Sequence, residues 1–252
     1  MIEINGLYKT YNYKKSGAFE ALHDISVTIE DGTMNAIIGR SGSGKSTLLH
    51  ILGCIDSFEK GSYKFNGKEI AEYSEKERAL FRSENVGIVL QDFSLIETYS
   101  VLENVLTPFY FTNKTYSKKE MKSKALAVLK SVRLDKLENK SVNKLSGGQK
   151  QRLSIARALT KKPEIFIFDD SFSALDFKTD SALRKALKEH TSNATVLIVA
   201  QRISTIMNAE QIIVLDEGKI VGKGTHQELL KNCQTYYEIA SSQLSKEELD
   251  NE

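Results

Sequence analysis

Apolar side chains recur along this chain in two rhythms. Ile2 and Ile4, then Ile25, Val27 and Ile29, alternate with polar neighbours, as strands buried on one face do. Residues 34–38 form a continuous apolar run ending at Gly39, the pattern of a buried strand meeting a glycine loop. Over 46–55 the rhythm changes, and Leu48, Leu49, Ile51 and Leu52 follow helical spacing. Tyr63 and Phe65 lead into Asn66-Gly67, which predicts a strand closed by a tight turn. Residues 86–90 predict another buried strand. From about 92 to 160 the chain is rich in Lys, Glu, Ser and Leu, with helical period over 118–132. After Pro163 the strand signals return at 165–168, 195–200 and 212–215, and Asp216-Glu217-Gly218 turns the chain into 219–221. Thr225 and Glu228 have the spacing of a capping box that opens a helix. Ser245 and Glu248 repeat the spacing, but the acidic run around them reads as a frayed tail.

Strands alternating with helices imply an α/β fold with a mostly parallel sheet covered on both faces. The N-terminal strands add an antiparallel β portion, and the segment 92–160 reads as an inserted helical subdomain. The expected organisation is one domain over 1–242, with a core lobe at about 1–91 and 161–242, a helical lobe at about 92–160, and an acidic tail over 243–252. Composition narrows the class. With 35 Lys+Arg against 33 Asp+Glu the net charge is +2, too balanced for a general nucleic-acid binder. Two cysteines, Cys54 and Cys233, are too few for a disulfide framework and fit a reducing cytosol. No uncharged run approaches the roughly 20 residues that span a bilayer. The first eleven residues lack the basic-then-apolar order of a signal peptide. A cytoplasmic globular protein is expected.

The glycine loop carries the first chemistry. Gly39, Arg40, Ser41, Gly42, Ser43, Gly44, Lys45 and Ser46, followed by Thr47, match G-x-x-x-x-G-K-[ST], with a predicted strand before and a helix after. Glycines let the backbone wrap closely around phosphates, and loop amides at a helix N-terminus hold negative charge. Lys45 is placed to reach the β- and γ-phosphates of a nucleotide, and the Ser46 hydroxyl to ligate Mg²⁺. The competing reading, a glycine-rich turn with a chance lysine, lacks an explanation for the flanking strand and helix. The core is therefore read as a P-loop NTPase fold of the RecA-like kind. A second polar pair follows: the apolar strand 165–168 delivers Asp169 and Asp170 at its C-terminal end, where α/β sheets bind ligands. Asp169 suits Mg²⁺, and Asp170 suits polarisation of an attacking water.

Leu145, Ser146, Gly147, Gly148 and Gln149, continued by Lys150-Gln151-Arg152-Leu153 and Ala156-Arg157-Ala158-Leu159, resemble the signature motif of ATP-binding cassette (ABC) proteins. Ser146 and the amides near Gly147 and Gly148 open a helix, with Leu153 and Ile155 on its buried face. The resemblance covers nearly the whole chain and implies roles for further residues. Tyr11 resembles the aromatic that stacks on adenine, with Tyr13 as its local competitor. Gln91 resembles the glutamine that senses Mg²⁺ and the attacking water. Ser173-Ala174-Leu175-Asp176 resembles the loop that crosses to an opposite subunit. The family pairs two cassettes head to tail around ATP, each nucleotide held between one chain's P-loop and the other's signature motif. A second cassette, homo- or heterodimeric, and a transmembrane permease subunit are thus the implied partners, with ATP and Mg²⁺ as ligands and attachment at the inner face of the cell membrane.

Two positions depart from the family pattern. Where the catalytic carboxylate is usually Glu, this chain has Asp170, shorter by one methylene and so set back about 1.5 Å from the water. Where the family carries a switch histidine, after the strand at 195–200, stands Gln201. A glutamine can hydrogen-bond a γ-phosphate but cannot carry an imidazolium charge. The four histidines, His23, His50, His190 and His226, all lie elsewhere, and His226 reads as a surface or capping residue. Weakened hydrolysis is expected, with a subunit that binds nucleotide but barely turns it over as the alternative. A non-transport cassette of the translation or DNA-repair kind is the third reading. The two ends also resemble different branches. The N-terminal two thirds is similar to the macrolide-export and lipoprotein-release ATPases, and the stretch from Asp169 onward to the C-terminal domains of fused exporters. A natural mosaic, a two-parent chimera joined near 163–169, and drift within one lineage all fit that mismatch.

Overall fold

The computed structural model describes residues 1–14, 16–169 and 194–245. The chain forms two compact units, one of Met1–Arg78 with Thr195–Glu252 and the other of Ala79–Ala194.

The first unit contains both kinds of strand pairing. β1 (Ile2–Tyr11), β2 (Phe19–Ile29), β4 (Lys60–Phe65) and β5 (Lys68–Glu69) form an antiparallel sheet in the order β2-β1-β4-β5. Ile2 and Ile4 of β1 and Ile25, Val27 and Ile29 of β2 are buried, as the alternation predicts, and Leu7 is buried beyond a register shift in β1. The β4–β5 turn is Asn66-Gly67, both left-handed with φ of 49° and 75°, the geometry that two-residue hairpins require. β3 (Met34–Gly39) is buried from Asn35 to Ile38 and lies between two parallel neighbours, β8 (Thr195–Val199) and β9 (Gln211–Asp216). β10 (Lys219–Gly224) returns antiparallel to β9 through the Glu217-Gly218 turn.

α1 (Lys45–Leu52) follows the glycine loop and buries Leu48, Leu49, Ile51 and Leu52 against β2, β3 and β8. It stops three residues before the end predicted from spacing. The Gly53 amide closes onto Ile51 and Leu49, Cys54 takes φ of 53°, and Ile55 is left exposed. α2 (Glu75–Asn85) carries the chain from one unit into the other.

In the second unit β6 (Val86–Val89) pairs in parallel with β7 (Ile165–Asp169). β6 is only half as buried as its apolar run suggests, with Val86 and Ile88 partly exposed and Leu90 beyond its end. Among the described residues, α3 (Val101–Leu106), α4 (Lys118–Ser131) and α5 (Gly147–Leu159) pack on one another. Gly87 allows the close approach of α5 to β6, because a methyl there would lie 2.9 Å from the Pro163 ring and 3.0 Å from the Ala158 carbonyl. The segment read as a helical lobe lies inside this unit, together with the two strands.

One histidine departs from expectation. The capping box at Thr225 and Glu228 forms and opens the helix His226–Asn232, but His226 itself is buried rather than a surface residue. The following helix, Gln234–Ser241, packs against it, and the Tyr236 hydroxyl hydrogen-bonds His226 Nδ1 at 2.5 Å.

Candidate nucleotide site

The glycine loop leaves β3 at its C-terminal end and bends where only glycine fits. At Gly39, with φ of 157°, an added methyl would sit 2.1 Å from the Leu215 carbonyl oxygen of β9. At Gly44, with φ of 98°, it would sit 2.7 Å from the Ala21 carbonyl and 2.8 Å from Leu22. Backbone thus approaches backbone on both sides of the loop. The loop is braced by a later turn, since the Gly218 amide donates to the Ser43 carbonyl at 3.2 Å and the His23 amide donates to the Gly218 carbonyl at 2.8 Å. Lys45 bends back over the loop, its ammonium 2.9 Å from the Gly39 carbonyl and 2.6 Å from that of Arg40. Gly44 serves as the N-cap of α1 without a side-chain cap, so the first amides of the helix are not claimed by a capping side chain. Ser43 is buried, Ser46 exposed and Thr47 half-buried. Arg40 reaches Glu238 at 2.7 Å on the surface.

Tyr11 is tied to this loop. Its hydroxyl lies 3.3 Å from the Thr47 hydroxyl and 3.2 Å from Asp56 Oδ2, and its ring stands 5.0 Å from the Lys9 ammonium. Lys9 is buried and pairs with Asp56 at 2.9 Å and Glu59 at 3.6 Å. Tyr13 is more exposed than Tyr11. Sequence alone did not single out Lys9, Asp56 or Glu59. The irregularity between Ile4 and Leu7, with Gly6 at φ of 55°, shifts the phase of β1 so that Leu7 and Lys9 face inward, out of step with Ile2 and Ile4, and a lysine there needs a carboxylate partner. Gln201 follows β8 closely, and β8 pairs with β3 from Met34↔Val196 to Ile37↔Val199. Gln201 and the glycine loop therefore leave adjacent parallel strands at the same end.

In the second unit Val89 pairs with Phe168, so Gln91 and Asp169 also emerge from the same end of two paired parallel strands. Gln91 is exposed and Asp169 half-buried. Ser146 is the N-cap of α5 in a complete capping box: its hydroxyl accepts from the Gln149 amide, and the Gln149 side chain accepts from the Ser146 amide at 3.0 Å. Leu153 and Ile155 are buried, as expected, and so are Gln151 and Ser154. A methyl at Gly147 would meet nothing within 4 Å. Asp170, the stretch Ser173-Ala174-Leu175-Asp176 and His190 lie outside the described residues.

A cradle of backbone at the C-terminal end of a strand paired on both sides, with a lysine over it and a helix opening from it, defines a P-loop nucleotide-binding fold. The chain belongs to the ABC transporter family, as its ATP-binding domain: the family matches residues 22–173. It is 33% identical over 228 residues to the uncharacterized ABC transporter ATP-binding protein YknY of Bacillus subtilis, covering 90% of this chain and 98% of that one. It is 36% identical over 222 residues to the macrolide export ATP-binding/permease protein MacB of Mannheimia succiniciproducens, covering 88% of this chain and 34% of MacB. The first curated relatives it matches are likewise longer, and the chain spans 38% of their length. Among solved structures it resembles a dimeric, post-hydrolysis ATP-binding cassette bound to ADP and phosphate, with a TM-score of 0.83 and 33% identity over 89% of this chain and 98% of that one.

Proposed function

We propose that this chain is the ATP-binding and ATP-hydrolysing subunit of an ABC transporter, pairing head to tail with a second cassette to drive a transmembrane permease. The observation that carries this is the glycine loop, where Gly39 and Gly44 sit too close to neighbouring backbone for any side chain, with Lys45 folded over it. The donor set fits ATP with Mg²⁺: loop amides and an ammonium for phosphate, and a hydroxyl, an amide oxygen and a carboxylate for a hard cation.

In this reading Lys45 and residues 39–47 would hold the phosphates, Ser46, Gln91 and Asp169 are the residues that would supply ligands to Mg²⁺, and Tyr11 would face the adenine. Bound Mg²⁺ supplies charge neutralisation at the β- and γ-phosphates. Asp170 accepts the proton of the attacking water, from further away than a glutamate would. Gln201 donates a hydrogen bond to the γ-phosphate without adding charge. Ser146, Gly147, Gly148 and Gln149 meet the nucleotide on the partner cassette, so one chain presents two half-sites. The cassette sits on the cytoplasmic side of the membrane through its permease. Among the described residues no helix is long and apolar enough to cross a membrane.

Size measurement with and without ATP and Mg²⁺ tests the pairing. A shift from monomer to dimer on ATP–Mg²⁺ is expected, and a monomer under both conditions removes the homodimer from the reading. Asp170→Glu and Gln201→His test the weakened chemistry. Each is expected to raise steady-state ATPase by at least about tenfold, given the sensitivity of rates to displacements near 1 Å. If neither raises the rate, the two departures do not limit turnover.

A further inference from the structure

The short helix Ile203–Ile206 begins two residues after Gln201, and its N-cap, Arg202, supplies no side-chain cap. The missing cap arrives from forty residues away. The Gln243 carboxamide accepts from the Ile203 amide through Oε1 at 2.9 Å and donates to the Gln201 carbonyl through Nε2 at 2.8 Å. One planar group therefore grips the chain on both sides of residue 202. Gln243 is itself fixed, since its own amide donates to the Ala240 carbonyl at 2.9 Å at the end of the helix Gln234–Ser241. The same helix touches the glycine loop through Glu238, which takes the Arg40 guanidinium at 2.7 Å and the Gln234 side-chain Nε2 at 2.9 Å. Only a carboxamide of this length both donates and accepts here: a carboxylate keeps the Ile203 contact and loses the one to Gln201.

We infer that Gln243 is a positioning residue that sets the Gln201 segment for contact with the γ-phosphate, and that the helix carrying it fixes this segment relative to the phosphate loop. The inference rests on the reading of Gln201 as the γ-phosphate contact given above. It does not depend on turnover, because a γ-phosphate contact discriminates ATP from ADP at equilibrium. The test is titration of the full chain with Mg²⁺–ATP and with Mg²⁺–ADP, for wild type, Gln201→Ala, Gln243→Ala, Gln243→Glu and the Gln201→Ala/Gln243→Ala pair. Each single change is expected to lower the preference for ATP over ADP by about tenfold, the worth of one hydrogen bond to a charged group, with ADP affinity unchanged. The pair is expected to lose no more than Gln201→Ala alone, since both changes remove the same contact.

An unchanged preference in Gln201→Ala overturns the reading of Gln201 and the inference with it. If Gln201→Ala lowers the preference while Gln243→Ala or Gln243→Glu does not, the inference alone is overturned. Additive losses in the pair overturn it also, and so does an equal loss of ADP affinity in Gln243→Ala, which marks a purely structural role.

Discussion

Single side chains around Tyr11 show how charge is kept inside the antiparallel sheet. Burial disfavours the Asp56 carboxylate, but the hydrogen bond from Lys9, the Ser57 amide, the Lys9 charge and the Tyr11 hydroxyl outweigh it, so its pKa lies below the usual carboxylate value. A carboxylate whose folded pKa is depressed contributes stability above its unfolded pKa, near 4, and loses it as pH falls through the folded value. Asp56→Asn leaves Lys9 short of a partner and is expected to cost about 2 kcal/mol at pH 7. The gap from wild type should close as pH is lowered below about 4, as thermal unfolding across pH 3–7 would show. Tyr11 gives a second prediction. Tyr11→Ala is expected to weaken ATP binding about tenfold through lost stacking, and Tyr11→Phe by under about threefold, in equilibrium titration. Tyr11 was readable from the sequence as an aromatic near a strand end. The Lys9–Asp56 pair beneath it was not, because the partners are 47 residues apart and no local rhythm links them. His226 failed for the same reason: its local signal is a capping turn, and its burial comes from the next helix.

Helices and strands were readable wherever their signals are local. The strand at 34–39, the Asn66-Gly67 hairpin, the helix start at Ser146 and the box at Thr225 each depend on residues within a few positions of one another. The end of α1 was not, since Ile55 continues the apolar pattern while Gly53 and Cys54 break the backbone. For α5 the capping box is itself testable. Ser146→Ala removes the acceptor for the Gln149 amide and is expected to cost about 1 kcal/mol of stability, read by denaturant unfolding. If the signature motif also meets nucleotide in trans, the same change should reduce ATPase more than that stability loss explains, while ATP affinity of the isolated chain stays near wild type.

For the molecule as a whole, the alternation of strands and helices identified the α/β class, and the motifs identified the ABC family. What pattern could not supply is which later residues complete the early loop. Leu215 lies against Gly39, and Gly218 bridges Ser43 to His23. A chain stopped after Glu210 keeps every residue of the glycine motif and loses these supports, so its ATP binding in titration is expected to fall at least about a hundredfold. The same bridge has a consequence during synthesis. The ribosome completes the phosphate-binding motif at Ser46, but the residues that hold it in shape emerge about 170 positions later. A nascent chain therefore carries the motif through the intervening residues without its floor, and the loop takes its full shape only once β9 and the turn after it have emerged.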